Sequence, residues 1–372
     1  MNNSKHFKIA LLGNPNSGKS SVFNLLTGLR QKVGNFPGVT VDKKVGHAHL
    51  KEGISASITD FPGTYSLYPT SKDETIVINT FTNPKSDNYP DAVVYIADIT
   101  KLEPHLLLLT QIHDLGLPIV LALNMIDLAA KEGLTYDVEK LSKLLQIPVV
   151  AISGRSGENI EKLKHIAADL CLQKAEKPKP FYSFSKKEEQ LVADLQTDFN
   201  IDNPYRALIY AHHYDKMPFL NKLEKRQIEN LCKKHEFEPF NLQIRETMQR
   251  YDKFTPIVRQ ILQKITDNSE NDTLTDKFDL IFTHRIFGPL IFFLFMFLVF
   301  QAIFAWSEYP MMLIETAFGF AGETLQNILP EGWITSLVVD GILAGLGGIL
   351  IFIPQIAILF FLISILEVSF CL

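Results

Sequence analysis

Short apolar runs alternate with helix-period patterns over residues 7–172. Phe7–Leu12, Val45–Leu50, Ile54–Thr59, Ala92–Ala97, Ile119–Leu123 and Val149–Ile152 read as strands. Helical spacing predicts helices over Lys19–Leu26, Glu103–Leu115, Asp137–Leu145 and Ile160–Leu172. Such alternation predicts a mostly parallel sheet covered on both faces. The pair at 45–59, joined by a turn with Gly53, reads instead as an antiparallel hairpin. A polar, proline-containing stretch, Gln173–Pro180, follows as a linker. From Ser185 to about Asp272 the pattern is helical and charged with no strand signal, which predicts a small all-α domain. Asp267–Thr275 reads as a second polar hinge.

Beyond the hinge the pattern changes. Leu290–Trp306 and its flanks are almost uninterrupted apolar sequence, close to the roughly 20 residues a spanning helix requires. Ser307–Glu331 is less apolar and carries four carboxylates, and it reads as a stretch between spans. A second apolar run, Ile334–Leu366, is interrupted only by Asp340. It is too long for one straight span and contains Gly341, Gly345, Gly347, Gly348 and Pro354, which predicts a broken or kinked helix. Gly341-x-x-x-Gly345 has the spacing of a helix-packing face, and an element of a pathway is the other reading. Spans are therefore expected at about 287–306 and 334–366, in a multi-pass arrangement with the lipid bilayer as partner.

Charge orients this arrangement. All 36 Lys and Arg residues lie at or before Arg285, where they face 35 carboxylates, because six of the 41 acidic residues come later. The net charge of −5 thus belongs to the apolar end. Cations just before the first span put residues 1–285 in the cytoplasm and 307–331 on the periplasmic or extracellular side. No basic stripe marks a nucleic-acid binder. The polar N-terminus gives no signal-peptide pattern. Cys171, Cys232 and Cys371 form neither a CxxC pair nor a disulfide framework, which suits a reducing compartment.

The chemistry lies at the ends of the strands. Gly13-Asn14-Pro15-Asn16-Ser17-Gly18-Lys19-Ser20-Ser21 contains GxxxxGKS between a strand and a helix. Its glycines let backbone N–H groups face phosphate oxygens, and the helix N-terminus favours the anion. Lys19 reaches the β- and γ-phosphates, and the Ser20 hydroxyl is a Mg²⁺ ligand. Asp60-Phe61-Pro62-Gly63 supplies a carboxylate for the Mg²⁺ shell and an N–H that senses a γ-phosphate. Asn124-Met125-Ile126-Asp127 supplies an Asp able to accept two hydrogen bonds from guanine N1 and N2, which adenine cannot offer. Met125 stands where Lys is usual. Ser153-Gly154-Arg155 follows the last strand and offers backbone N–H groups to guanine O6. Taken singly, Asn124 or Ser153 would pass for a loop-capping residue; four motifs in order at successive strand ends do not arise by chance. Between the first two, Gly38-Val39-Thr40 offers Thr40 as the switch threonine that ligates Mg²⁺. Thr64 follows Gly63, where many GTPases carry a water-orienting glutamine, so intrinsic hydrolysis is expected to be slow.

These residues resemble the FeoB-type ferrous iron transporters of bacterial inner membranes. The resemblance rests on the phosphate loop, Asn35-Phe-Pro-Gly-Val-Thr40, Asp60-Phe-Pro-Gly-Thr-Tyr-Ser-Leu67, Asn124-Met-Ile-Asp127, Thr283-His-Arg-Ile-Phe-Gly288 and Phe352-Ile-Pro-Gln355. It implies an α/β P-loop GTPase with a mixed, mostly parallel sheet over 1–172 and a linker at 173–184. A small all-α domain that influences GDP release would follow over 185–275, and an α-helical transmembrane region over 276–372. It implies Fe²⁺ as the transported ion, GTP and GDP as ligands, small cytoplasmic Feo proteins as partners and a homo-oligomer. It also implies K⁺-stimulated hydrolysis, with K⁺ held by Asn16 and by backbone carbonyls around Gly34 and Phe36; a simple loop brace is the other reading of Asn16. Asn16, Lys19, Thr40 and Gly63 would then be the catalytic positions. Similar proteins continue past Leu366-Glu367 with further spans, and here Val368–Leu372 follows. A membrane-anchored regulatory GTPase, or a truncated fragment that keeps GTP binding alone, is therefore the alternative reading. His47 and His49 alternate on one strand face and could ligate a metal, though exposed strand positions explain them equally well. His212 and His213, adjacent on a helix, diverge by about 100°, and Glu367 and Cys371 have no second soft or acidic ligand at usable spacing. No metal site beyond Mg²⁺ and K⁺ is therefore expected.

Overall fold

The computed structural model describes residues 5–28, 31–36, 42–172, 179–264, 287–330 and 332–370. The chain divides into two compact units, Met1–Asp267 and Asn268–Leu372. The first begins with β1 (Lys5–Gly13), α1 (Lys19–Thr27), β2 (Gln31–Asn35), β3 (Asp42–Lys51), β4 (Ile54–Asp60), α2 (Lys72–Thr82), β5 (Ala92–Asp98) and α3 (Leu102–Asp114). It continues with β6 (Ile119–Asn124), α4 (Ile126–Lys131), β7 (Leu134–Tyr136), α5 (Val138–Leu145), β8 (Val149–Ala151) and α6 (Ile160–Leu172).

Seven strands form one sheet in the order β2-β3-β4-β1-β5-β6-β8. Only the β2–β3 and β3–β4 pairs are antiparallel. The period-two alternation explains how both faces are buried. Ala10, Leu12, Val93 and Tyr95 point into one core, and Ile9, Leu11, Val94 and Ile96 into the other. Val22 and Phe23 of α1 with Leu163 and Ala167 of α6 cover the second face. Val77 and Phe81 of α2 with Leu106 and Leu109 of α3 cover the first. The sheet and its parallel order agree with the α/β expectation. Elements β2, α2, α4 and β7 are additions to it.

Four helices follow: α7 (Lys186–Phe199), α8 (Pro204–His213), α9 (Lys222–Lys234) and α10 (Pro239–Ile261). Their starts are written in the sequence. Ser185 with Glu188 and Asn221 with Glu224 form capping boxes, and Asn203 caps α8 ahead of Pro204. These helices share the core of the first sheet face, for Leu191, Leu208 and Phe254 belong to the same buried cluster as Leu12 and Leu106. Tyr182, inside the expected linker, is buried in that cluster too. The absence of strands expected after Ser185 does not hold. Leu262–Lys264 forms β9, antiparallel to β7, with Tyr136 opposite Leu262 and Leu134 opposite Lys264. A three-residue strand leaves no periodic trace; it exists because its backbone finds a partner far away in sequence.

The second unit contains α11 (Phe287–Ile328), α12 (Trp333–Ser336), a π-helical segment (Leu337–Leu343), α13 (Ala344–Leu350) and α14 (Ile353–Phe370). The expected break at Ser307 is absent: α11 runs through it for 42 residues, a rise of about 63 Å against the roughly 30 Å of bilayer hydrocarbon. Carboxylates lower hydropathy without removing any backbone hydrogen bond, so the pattern ended where the helix did not. The second run is broken as expected, by the π segment and a turn at 351–352. Its tight packing glycine is Gly347, where an added Cβ would stand 3.1 Å from the Phe318 ring. Gly345 has open space and Gly341 meets only Leu337 of its own helix. Two helices, Phe287–Ile328 and Trp333–Ser364, are long and apolar enough to cross a membrane. Only 6% of each apolar window is buried by this chain, which leaves their surfaces for lipid or further protein.

Candidate nucleotide site

The phosphate loop is shaped by what surrounds it. At Gly13 a Cβ would lie 2.4 Å from the Ile96 carbonyl oxygen on β5, so the loop leaves β1 against the neighbouring strand. Asn16 and Gly18 take left-handed backbone conformations, φ 62° and 80°. At Gly18 a Cβ would meet Asn124 Nδ2 at 2.2 Å, so both its conformation and its surroundings demand glycine. Gly18 also caps α1 without any side-chain bond, so the first N–H groups of that helix keep their donors for an anion. Asn14 is buried and serves as a brace. Its Nδ2 donates to the Pro104 carbonyl at 3.3 Å, and the buried Tyr95 hydroxyl lies 2.9 Å from its Oδ1. Ser17 is buried as well, whereas Pro15, Asn16, Lys19, Ser20 and Ser21 line an open cleft of about 470 Å³.

Pro62 and Gly63 form another side of this cleft. A Cβ at Gly63 would approach the Pro15 nitrogen to 3.0 Å, which fixes the second motif hard against the first. Asp60, at the end of β4, accepts from Lys19 Nζ at 2.8 Å. The two groups expected to meet phosphate and metal thus neutralise each other across the cleft. The Phe61 side chain is buried between Phe36 and Phe81, with ring centroids at 5.3 and 5.4 Å, which leaves its backbone as the part next to Asp60 and Pro62. Thr64 is also buried and donates to the Ser66 carbonyl at 2.9 Å. Its hydroxyl therefore serves the loop rather than the cleft. Three residues absent from the sequence expectation complete the lining: Ser71, Asp73 and Glu74, at the start of α2. Ser71 and Glu74 form a capping box whose S-x-x-E spacing was legible.

At the other end, Asn124 ties the loops together. Its Nδ2 donates to the Ser17 carbonyl at 2.9 Å, and its Oδ1 accepts from the Gly154 N–H at 2.7 Å. Met125 adopts φ 67°, turning the chain out of β6 into α4. Asp127 is half-buried and accepts from the Ser153 hydroxyl at 3.1 Å, and Ser153 Oγ in turn accepts from the Ser156 N–H at 3.1 Å. The carboxylate is held in one orientation by a buried serine. Arg155 is exposed. Gly34 lies in β2, and the Phe36 side chain is buried against Phe61 rather than lining the phosphate cleft. Gly38, Val39 and Thr40 lie outside the described residues. Among the histidines, His47 and His6 share the Ser57 hydroxyl at 3.3 and 2.8 Å, and His212 bonds the Pro239 carbonyl at 3.0 Å. No group of three or more His, Cys, Asp or Glu residues able to hold a metal occurs among the described residues.

The geometry has counterparts among known proteins. The family model described as "Ferrous iron transport protein B" matches residues 7–167. A protein named Fe(2+) transporter FeoB from Leptospira biflexa is 35% identical over 98% of this chain and 53% of its own length. A fusion of Fe(2+) transport protein A and FeoB from Porphyromonas gingivalis is 33% identical, over 97% of this chain and 44% of that protein. The chain thus spans about half the length of these curated relatives. Among solved structures, the cytosolic domain of Legionella pneumophila FeoB superposes with a TM-score of 0.58 at 35% identity, covering 69% of this chain and all of that one. The cytosolic domain of Thermotoga maritima FeoB in a GDP form gives 0.55 at 29%, covering 70% and all of that chain. With the strand order, the loop constellation and these relatives in agreement, the chain belongs to the ferrous iron transport protein B family.

Proposed function

We propose that this protein binds and hydrolyses GTP and couples its nucleotide state to Fe²⁺ passage through a bacterial inner membrane. One observation carries the reading: loops at the carboxyl ends of β1, β4, β6 and β8 gather in a chain that continues into two helices of membrane length. Asp127, oriented by Ser153, is the group that reads guanine. The phosphates lie along Gly13–Ser21, with Lys19 leaving Asp60 for phosphate oxygens. Mg²⁺ suits the donor set, since the Ser20 hydroxyl and the Asp60 carboxylate are hard oxygen ligands on facing elements, with Thr40 as the third. Bound there, it would neutralise charge on the transferring phosphoryl group.

Potassium is the finer proposal. Asn16, exposed in the cleft, supplies one ligand, and the carbonyls around Gly34 and Phe36 supply others once that segment approaches the phosphates. Buried Thr64 supports the need for such help, because no glutamine stands where a water would be oriented. The domain organisation is proposed as a GTPase domain over 1–172, a linker over 173–184, a helical region over 185–275 that tunes GDP release, and membrane helices from 276 onward. The fused relative from Porphyromonas gingivalis supports a small accessory partner. Reconstituted into vesicles, the protein is expected to take up Fe²⁺ only with GTP present. Hydrolysis is expected to run several-fold faster in K⁺ than in Na⁺, with that difference lost in Asn16→Ala. Nucleotide-independent uptake would overturn the coupling, and equal rates in the two salts would overturn the role of Asn16.

A further inference from the structure

A buried polar hub, unused by the nucleotide chemistry above, joins the loop after Gly63 to the helices that follow the sheet. Its centre is Glu246 on α10, which is fully buried. Glu246 Oε1 accepts from Tyr205 Oη on α8 at 2.6 Å, from Arg250 Nε at 2.7 Å and from Gln111 Nε2 on α3 at 3.1 Å. Its other oxygen accepts from Tyr68 Oη. Arg250, also fully buried, pairs with Asp114 at 2.8 Å and lies 5.0 Å over the Tyr205 ring. Asp114 in turn accepts the Phe181 and Tyr182 N–H groups at 2.7 and 2.9 Å.

Tyr68 is the member that belongs to the nucleotide loop. It stands five residues after Gly63, and the chain between them is knitted tightly. Thr64 donates to the Ser66 carbonyl at 2.9 Å, and the Tyr68 N–H donates to the Ser66 hydroxyl at 3.2 Å. The Leu67 N–H donates to Gln111 Oε1 at 2.7 Å, the far side of the same amide that serves Glu246. The Tyr68 ring lies against His212 and His213 of α8, with centroids at 4.7 and 5.8 Å. A short, hydrogen-bonded segment therefore runs from the residue that faces the phosphates to a buried carboxylate on a helix. Movement of Gly63 toward a γ-phosphate must either stretch this tether or move with it.

We propose that Tyr68 is a positioning residue whose hydroxyl, anchored on Glu246, holds the Asp60–Gly63 loop in the placement where Asp60 takes Lys19 away from a γ-phosphate, and so sets the relative affinity for GDP and GTP. The inference rests on the guanine-nucleotide reading above. The tether biases only states that differ in loop position, so its removal changes a ratio of affinities rather than both affinities alike. A burial of charge this complete is sensitive to loss of a partner, and a suitable control is needed. Tyr205 provides it: its hydroxyl serves the other oxygen of the same carboxylate, from helix α8 rather than from the loop.

The test compares Tyr68→Phe, Tyr205→Phe and the parent chain by titration with GDP and with a non-hydrolysable GTP analogue, alongside thermal melts. Tyr68→Phe keeps the ring against the two histidines and loses only the hydroxyl. It is expected to shift the GTP-analogue-to-GDP affinity ratio at least five-fold toward the GTP analogue, and Tyr205→Phe less than two-fold, with similar melting losses in both. Equal ratios in all three proteins would overturn the tether while leaving guanine binding intact. The same shift in both variants would overturn it too, by showing a general loosening of the hub. Failure of the parent chain to bind either nucleotide would refute the nucleotide reading itself.

Discussion

At the scale of single residues, burial without a partner has the clearest consequence. His105 and His213 are both buried and have ring nitrogens with no hydrogen-bond partner, Nδ1 and Nε2 respectively. Burial disfavours their charged forms. His105 is pushed down to about 4 with Asp98 opposing the shift, and His213 to about 3 with His212 and Lys216 adding to it. Their folded pKa values thus lie below the unfolded value near 6.5. Between these limits the unfolded chain binds the extra protons, so stability is complete above about pH 6.5 and falls as pH drops. From pH 6.5 to 5.5 each histidine removes about 1 kcal/mol, or about 2 kcal/mol for the pair. Urea unfolding of the first unit should show this loss, and a flat profile over that unit would contradict the neutral, buried assignment. Asp114 is the opposite case. Its burial favours protonation, but Arg250, His113 and two backbone N–H groups outweigh it and hold the carboxyl below its usual value. Its contribution is therefore present at neutral pH and disappears only in acid.

At the scale of elements, helix α2 shows how the cleft depends on a cap. Ser71 accepts from the Glu74 N–H at 3.3 Å, and Glu74 Oε2 accepts from the Ser71 N–H at 3.3 Å. The same first turn lines the phosphate cleft. Ser71→Ala should cost about 1 kcal/mol of stability and weaken nucleotide binding by a few-fold, read by titration; unchanged affinity would show that the turn is not part of the site. The cap was readable, yet the helix was not expected, because Thr75-Ile-Val-Ile78 is β-branched and lacks helical spacing. Strands β1, β4, β5 and β6 announced themselves through alternation and by the motifs at their ends. Strand β2 has a single apolar residue, Val33, and is made by pairing with β3. Strands β7 and β9 exist only through each other. The nucleotide motifs were legible because each is a local sequence. The structural roles of Asn14, Asn124 and Phe61 were not, because these depend on Tyr95, Gly154 and Phe81 from other elements. Nothing local in Tyr68 or Glu246 could have joined them.

At the scale of the whole molecule, a nucleotide cleft built on a buried core shares the chain with two helices of membrane length that bury little against each other. Everything proposed about iron depends on the first half being a guanine-nucleotide switch, and Asp127 is the point where that claim is most exposed. Its carboxylate can accept from guanine N1 and N2, whereas an amide there presents a donor and suits xanthine. The decisive measurement is displacement of a fluorescent GDP analogue from the parent chain and from Asp127→Asn, using GDP, GTP, ATP and xanthosine diphosphate as competitors. The account predicts displacement from the parent by GDP and GTP but not by a hundred-fold excess of ATP, and a preference in Asp127→Asn moved toward the xanthine nucleotide. Equal competition by ATP in the parent, or unchanged guanine selectivity in the variant, would contradict it.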